Sequence, residues 1–170
     1  EAADGSDCFA VPLLAPDAWD VRVVVALVSS APKAVSSRDG MRLAADSLFY
    51  PAWVAGADAD LACARAAIAA RDLAALGRVT EHSAFKMHAV GFGLEPPLVY
   101  WRSATLACIE RVWALRRAGA AAYVTMDAGP QVKVLCDPES ARAVEAALAD
   151  VPGVERVVAC KLGGGAEVVS

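Results

Sequence analysis

Ala121-Ala-Tyr-Val-Thr-Met-Asp-Ala-Gly-Pro-Gln-Val-Lys-Val-Leu-Cys136 is the stretch that decides the fold. Ala121–Met126 and Gln131–Cys136 carry the aromatic and β-branched residues that suit a pleated surface. Asp127-Ala128-Gly129-Pro130 between them is a turn. Two short strands joined by a tight turn make a hairpin. Upstream, Leu98–Arg117 reads as a helix with Leu106, Ile109, Val112 and Trp113 at helical spacing, stopped by Gly119. Downstream, Pro138 opens a helix to Asp150, with Val144 and Leu148 inward, and Val154–Lys161 follows as a strand. Asp20–Ser29, near-continuously apolar, is a buried strand at the front. Strand, helices, hairpin, helix, strand is the order of a ferredoxin-like split βαβ sandwich, an α+β fold, with extra helices inserted in its first crossover.

The remaining elements follow from caps and breakers. Phe9–Leu14 is expected as a short strand closed by Pro12 and Pro16. Ser36 or Ser37 caps a helix to about Ser47, which Pro51 interrupts. Asp58 or Asp60 caps an alanine-rich helix with Leu61 and Ile68 on one face. Asp72 begins another, with Leu73, Leu76, Val79, Ser83 and Lys86 in register. Gly91–Pro97 is a loop, Gly163-Gly164-Gly165 a turn and Glu167–Ser170 a final strand.

The 170 residues are 57% hydrophobic and 21% charged, with a net charge of −4 and a pI near 5.1. A chain of this length buries roughly 70% of its unfolded surface, which is enough for a core. The composition excludes a disordered chain and gives no general basic field, so nucleic acid and acidic membrane are not expected partners. No run of eighteen apolar residues offers a membrane span. Glu1–Asp7 has neither a basic stretch nor an initiator Met, so it is read as mid-protein sequence and not a signal peptide. Five cysteines, an odd number with no CxxC, point to buried reduced thiols in a cytoplasmic protein.

Few side chains suggest chemistry. His82 and His88 lie six apart, about 240° around a helix, so they share no metal and read as surface or capping residues. Trp101 and Trp113 on the long helix read as core or dimer contacts, and Arg116-Arg117 suit its last turn. The triple glycine lacks the lysine and following helix of a phosphate loop. Lys-Ala-Val-Ser-Ser-Arg-Asp-Gly-Met (33–41) gathers hydroxyls and an arginine at a helix start, where either simple capping or an anion grip fits. Asp127 either ties its own turn through local amides or serves as a general base held on a rigid hairpin.

Together, 33–41 and Thr-Met-Asp-Ala-Gly-Pro-Gln-Val-Lys (125–133) closely resemble the C-terminal half of the diphosphomevalonate decarboxylases, members of the GHMP kinase superfamily. Ala-Asp-Gly-Ser-Asp (3–7), Lys-Met-His-Ala (86–89) and Glu-Pro-Pro-Leu-Val-Tyr (95–100) agree in order and separation. The resemblance implies that residues 1–16 end an N-terminal domain otherwise outside this sequence, and that 17–170 form the GHMP-type C-terminal domain. It implies Asp127 as the catalytic aspartate near the 3-hydroxyl, Ser37 and Arg38 on the substrate diphosphate, and Met41 lining that pocket. Gln131 departs from the asparagine usual in the family but keeps an amide. ATP and Mg2+ are the implied cofactors, with the ATP loop in the N-terminal domain. Mevalonate 5-diphosphate is the implied substrate, converted to isopentenyl diphosphate, and a homodimer the implied assembly. The chain alone is then expected to be inactive. The alternatives are a related mevalonate or phosphomevalonate 3-kinase or decarboxylase, or a stand-alone ferredoxin-like module that binds a small molecule.

Overall fold

The computed structural model describes residues 10–164. Its elements are β1 (Arg22–Leu27), α1 (Ser37–Ala44), α2 (Tyr50–Ala70), α3 (Leu73–Phe92), α4 (Ser103–Arg117), β2 (Ala122–Thr125), β3 (Val132–Cys136), α5 (Pro138–Ala149) and β4 (Arg156–Lys161). The four strands form one antiparallel sheet in the order β2-β3-β1-β4. This is the split βαβ arrangement read from the sequence, with α1 to α4 occupying the first crossover.

Register puts Val24 opposite Val134, and Val134 opposite Val124. These three, with Ala26, Val132, Cys136 and Ala122, are fully buried. They meet Cys108, Ile109 and Val112 of α4 and Val144 and Leu148 of α5, so the core lies between the sheet and these two helices. The alternate residues face the other way. Tyr123 is one of them, and α3 packs so close to it that a glycine is needed: a Cβ on Gly77 would sit 2.1 Å from Tyr123 Cγ.

β2 is an edge strand, and its outer edge is closed by side chains instead of a fifth strand. Glu81 of α3 accepts from the Val124 amide at 2.9 Å, from Trp113 Nε1 at 3.2 Å and from both Arg116 terminal nitrogens at 2.9 and 2.8 Å. Arg116 also donates to Ala122 O, with its guanidinium 4.9 Å from the Tyr123 ring centre.

Several boundaries differ from expectation. Pro51 does not interrupt a helix; it occupies the first turn of α2, where a missing N–H costs nothing. Asp58 and Asp60 therefore lie inside α2, and Leu61 is exposed. α4 starts at Ser103, not Leu98: the Arg102 N–H donates to Thr105 Oγ1 at 3.1 Å, and residues 98–102 stay outside regular structure. Trp101 thus precedes the helix, and Leu106 is exposed on it. Ala10–Leu14 form no strand. Phe9, the 3–7 motif, Cys8 and the strand expected at Glu167–Ser170 lie outside the described residues. Cys108 and Cys136 are buried free thiols as expected, but Cys63 and Cys160 are exposed. Among the described residues no helix is long and apolar enough to cross a membrane.

Candidate active site

The hairpin turn is fixed from three sides. Thr105 of α4 donates its buried hydroxyl to Pro130 O at 2.7 Å. Gln131 accepts through Oε1 from the Val28 amide at 2.6 Å and donates through Nε2 to Ser29 O, stitching the start of β3 to the end of β1. An amide that both donates and accepts imitates a backbone rung, so the glutamine at this position keeps a function that asparagine chemistry also provides. Lys33 closes the ring: its Nζ donates to Ser37 Oγ at 2.8 Å and to Ala128 O at 2.6 Å.

The start of α1 is thereby tied to the turn. Ser36 is the N-cap, accepting from the Asp39 amide at 3.1 Å, and this leaves the Ser37 hydroxyl for Lys33. Arg38 follows on the exposed side of α1, with no ion pair or hydrogen bond among the described residues. Loop 29–35, residues 98–102 and the turn 127–131 enclose a groove of about 800 Å3, lined by Lys33 and Asp127. That is the size of a small-metabolite site. Ser37 and Met41 line a separate cavity behind it, about 30 Å3, with His88, Tyr100 and Ala128. It has room for water but not for a metabolite. Asp127 also borders a second groove, of about 540 Å3, against α2 and α3.

Asp127 is exposed, and its Oδ1 lies 2.7 Å from Lys133 Nζ. Partial burial pushes its pKa up, but the hydrogen bond and charge of Lys133, its own backbone amide and the charge of Lys33 together hold the carboxyl below the usual carboxylate range. It is therefore ionised at neutral pH. The turn amide is one contributor among several.

His88 corrects the surface or capping expectation. It is 2% exposed, with the rings of Trp101 at 5.0 Å, Tyr100 at 6.3 Å and Phe92 at 6.4 Å. Its Nε2 and Trp101 Nε1 have no partner among the described residues. Burial pushes its pKa down to about 4, against the raising effect of the Asp127 charge and backbone. Below pH 6.5 the unfolded chain takes up a proton that the folded one refuses, so stability is complete above that pH and falls as pH drops towards 4. At pH 5 this shift costs about 2 kcal/mol relative to pH 7. Urea unfolding of wild type and His88→Gln at the two pH values checks it; equal losses in both proteins would refute it. His82, by contrast, is exposed as expected.

Sequence reading assigned no role to Lys33 or Lys133. Lys33 and Lys133 stood inside the quoted motifs, but only the folded chain shows that both amines reach the same turn. Among the described residues no group of three or more His, Cys, Asp or Glu could hold a metal.

Residues 23–168 match the family model of the mevalonate 5-diphosphate decarboxylase C-terminal domain. The chain belongs to this family. It is 30% identical over 149 residues to the diphosphomevalonate decarboxylase of Ganoderma lucidum, covering 82% of this chain and 37% of that protein. The crystal structure of mevalonate diphosphate decarboxylase from Staphylococcus aureus superposes with a TM-score of 0.82 at 31% identity, over 89% of this chain and 46% of that one. The mevalonate diphosphate decarboxylase from Enterococcus faecalis, described for its mevalonate diphosphate mediated ATP binding mechanism, gives 0.80 at 31%, over 91% and 46%. The chain thus spans less than half the length of these relatives. In each comparison the family's C-terminal domain accounts for the α+β sheet and its inserted helices.

Proposed function

We propose that this chain is the part of an ATP-dependent decarboxylase that holds mevalonate 5-diphosphate and accepts its hydroxyl proton. The observation that carries this reading is the Lys33 bridge, which joins the Ser37–Arg38 helix start to the Asp127 turn in a chain of this family.

In this reading Ser37, the α1 N-terminus and Arg38 hold the diphosphate. A hydroxyl donor, a fixed dipole and a forked cation all favour an anion there. Met41 supplies an apolar wall beside them. Asp127, kept ionised, accepts the proton as the 3-hydroxyl oxygen bonds to the terminal phosphorus of ATP and ADP leaves. The new 3-phosphate then departs with its bonding electrons, while the C–C bond to the carboxylate breaks and releases CO2. The electron pair freed from that bond becomes the double bond of isopentenyl diphosphate. A weak base suffices because positioning carries much of the barrier lowering.

ATP and Mg2+ are part of the proposal, not of this chain's own chemistry. The described residues include no group of three or more His, Cys, Asp or Glu that could hold a metal, and the turn carboxylate is paired with Lys133. Mg2+ belongs with the phosphates of the nucleotide, and the nucleotide site with the remainder of a full-length enzyme. Homodimerisation and a cytoplasmic location complete the reading; the free thiols Cys63, Cys108, Cys136 and Cys160 suit a reducing compartment.

ATP-dependent CO2 release from mevalonate 5-diphosphate by the intact protein tests the activity. Turnover of mevalonate or its monophosphate instead, or phosphorylation without CO2, would replace it with the related kinases. Arg38→Ala is expected to raise KM for mevalonate 5-diphosphate about tenfold to a hundredfold, since a charge-assisted bond contributes ~1.5–3 kcal/mol. KM for ATP should stay within a factor of about two. An unchanged substrate KM would place Arg38 away from the diphosphate.

A further inference from the structure

Lys133 is the side chain that the proposed chemistry leaves unused, and it is the one paired with the Asp127 carboxylate. It stands on β3, opposite Thr125 of β2 and Val25 of β1, and its Nζ meets Asp127 Oδ1 at 2.7 Å. The two partners are unequally held. The lysine side chain is 28% exposed and anchored in the sheet, whereas the aspartate side chain is 78% exposed on a turn. An exposed carboxylate left alone samples several rotamers. The sheet-anchored ammonium therefore decides where this one sits.

We propose that Lys133 is a positioning residue for Asp127: it holds Oδ1 and leaves proton acceptance to Oδ2. This rests on the decarboxylase reading above. Two effects oppose each other when the cation is removed. The carboxylate becomes slightly more basic, a gain of a few-fold at most when driving force is only partly expressed in rate. It also loses its fixed orientation, and misplacement by about 1 Å can cost a hundredfold. Orientation wins. The charged and titratable groups that face Asp127 are Lys133 from β3, Lys33 from the loop after β1 and His88 from α3. With His88 neutral, Lys33 is the cation that remains.

The test uses the intact protein, with Lys133→Met to keep the stem and remove the charge, and Lys133→Arg to restore it. Lys133→Met is expected to lower kcat about tenfold with KM for mevalonate 5-diphosphate nearly unchanged. The acid limb of kcat/KM should move to higher pH, and Lys133→Arg should recover most of both. Independently of turnover, the Asp127 carboxyl carbon, followed by NMR and assigned by its loss in Asp127→Asn, should titrate at higher pH in Lys133→Met. An unmoved Asp127 titration overturns the inference, as does a moved titration with kcat and acid limb unchanged. A wild-type protein that releases no CO2 overturns the decarboxylase reading instead, while the titration still decides whether Lys133 governs Asp127.

Discussion

Asp127→Asn in the intact protein is expected to lower kcat at least a hundredfold while leaving melting temperature and both KM values close to wild type. General-base contributions run to about 10²–10⁴-fold, and an amide neither accepts the hydroxyl proton nor offers a negative charge to it. The fold should be indifferent. The turn is fixed by Thr105 on Pro130 O, Gln131 on Val28 and Ser29, and Lys33 on Ala128 O, none of which involves the Asp127 side chain. What the substitution removes structurally is the pair with Lys133, and an ion pair with so exposed a carboxylate contributes about 0–1 kcal/mol. At roughly 2–4 °C per kcal/mol for a protein of this size, that is a small change in melting temperature. Measuring kcat and melting temperature on one preparation separates the roles: a near-normal kcat with a lowered melting temperature would make Asp127 a turn residue only.

The hairpin was legible because two local rules coincide on one stretch. β-branched residues flank Asp127-Ala128-Gly129-Pro130, and no helical pattern competes. Pro51 misled because proline both breaks helices and opens them, and the choice depends on how Phe49 and Tyr50 enter α2. Leu98–Arg102 is apolar enough for either a helix or an extended strap; the cap that Thr105 places on Arg102 settles it, and that bond depends on the fold. The site divides in the same way. Ser37, Arg38 and Asp127 carry motif signals, whereas Lys33, 95 residues from Ala128, joins them by a contact that no local pattern announces. His88 reads as an ordinary helical histidine until Phe92, Tyr100 and Trp101 surround it.

The edge of β2 gives the largest stability effect. Glu81→Ala in the intact protein is expected to cost about 2–3 kcal/mol, or roughly 5–10 °C in melting temperature. The Glu81 carboxylate accepts four bonds, from Trp113, the Val124 amide and twice from Arg116, so its removal takes the acceptor from three groups at once and leaves Arg116 only Ala122 O. Breaking a buried pair by deleting one partner costs about 3–5 kcal/mol. The lower figure applies here because the Arg116 side chain is 31% exposed and water can reach part of it. Glu81→Gln should recover little, since its NH2 group faces the Arg116 donors that an oxygen accepted. Truncating both partners, Glu81→Ala with Arg116→Ala, should cost less than the sum of the single changes, because no lone cation is left among Tyr123 and Trp113. The Val124 amide, which loses its acceptor in Glu81→Ala, adds a second readout. An open edge strand recruits other chains, so light scattering near the transition should rise in Glu81→Ala above wild type. A melting temperature within about 1 °C of wild type would show that water replaces the carboxylate at this edge without loss.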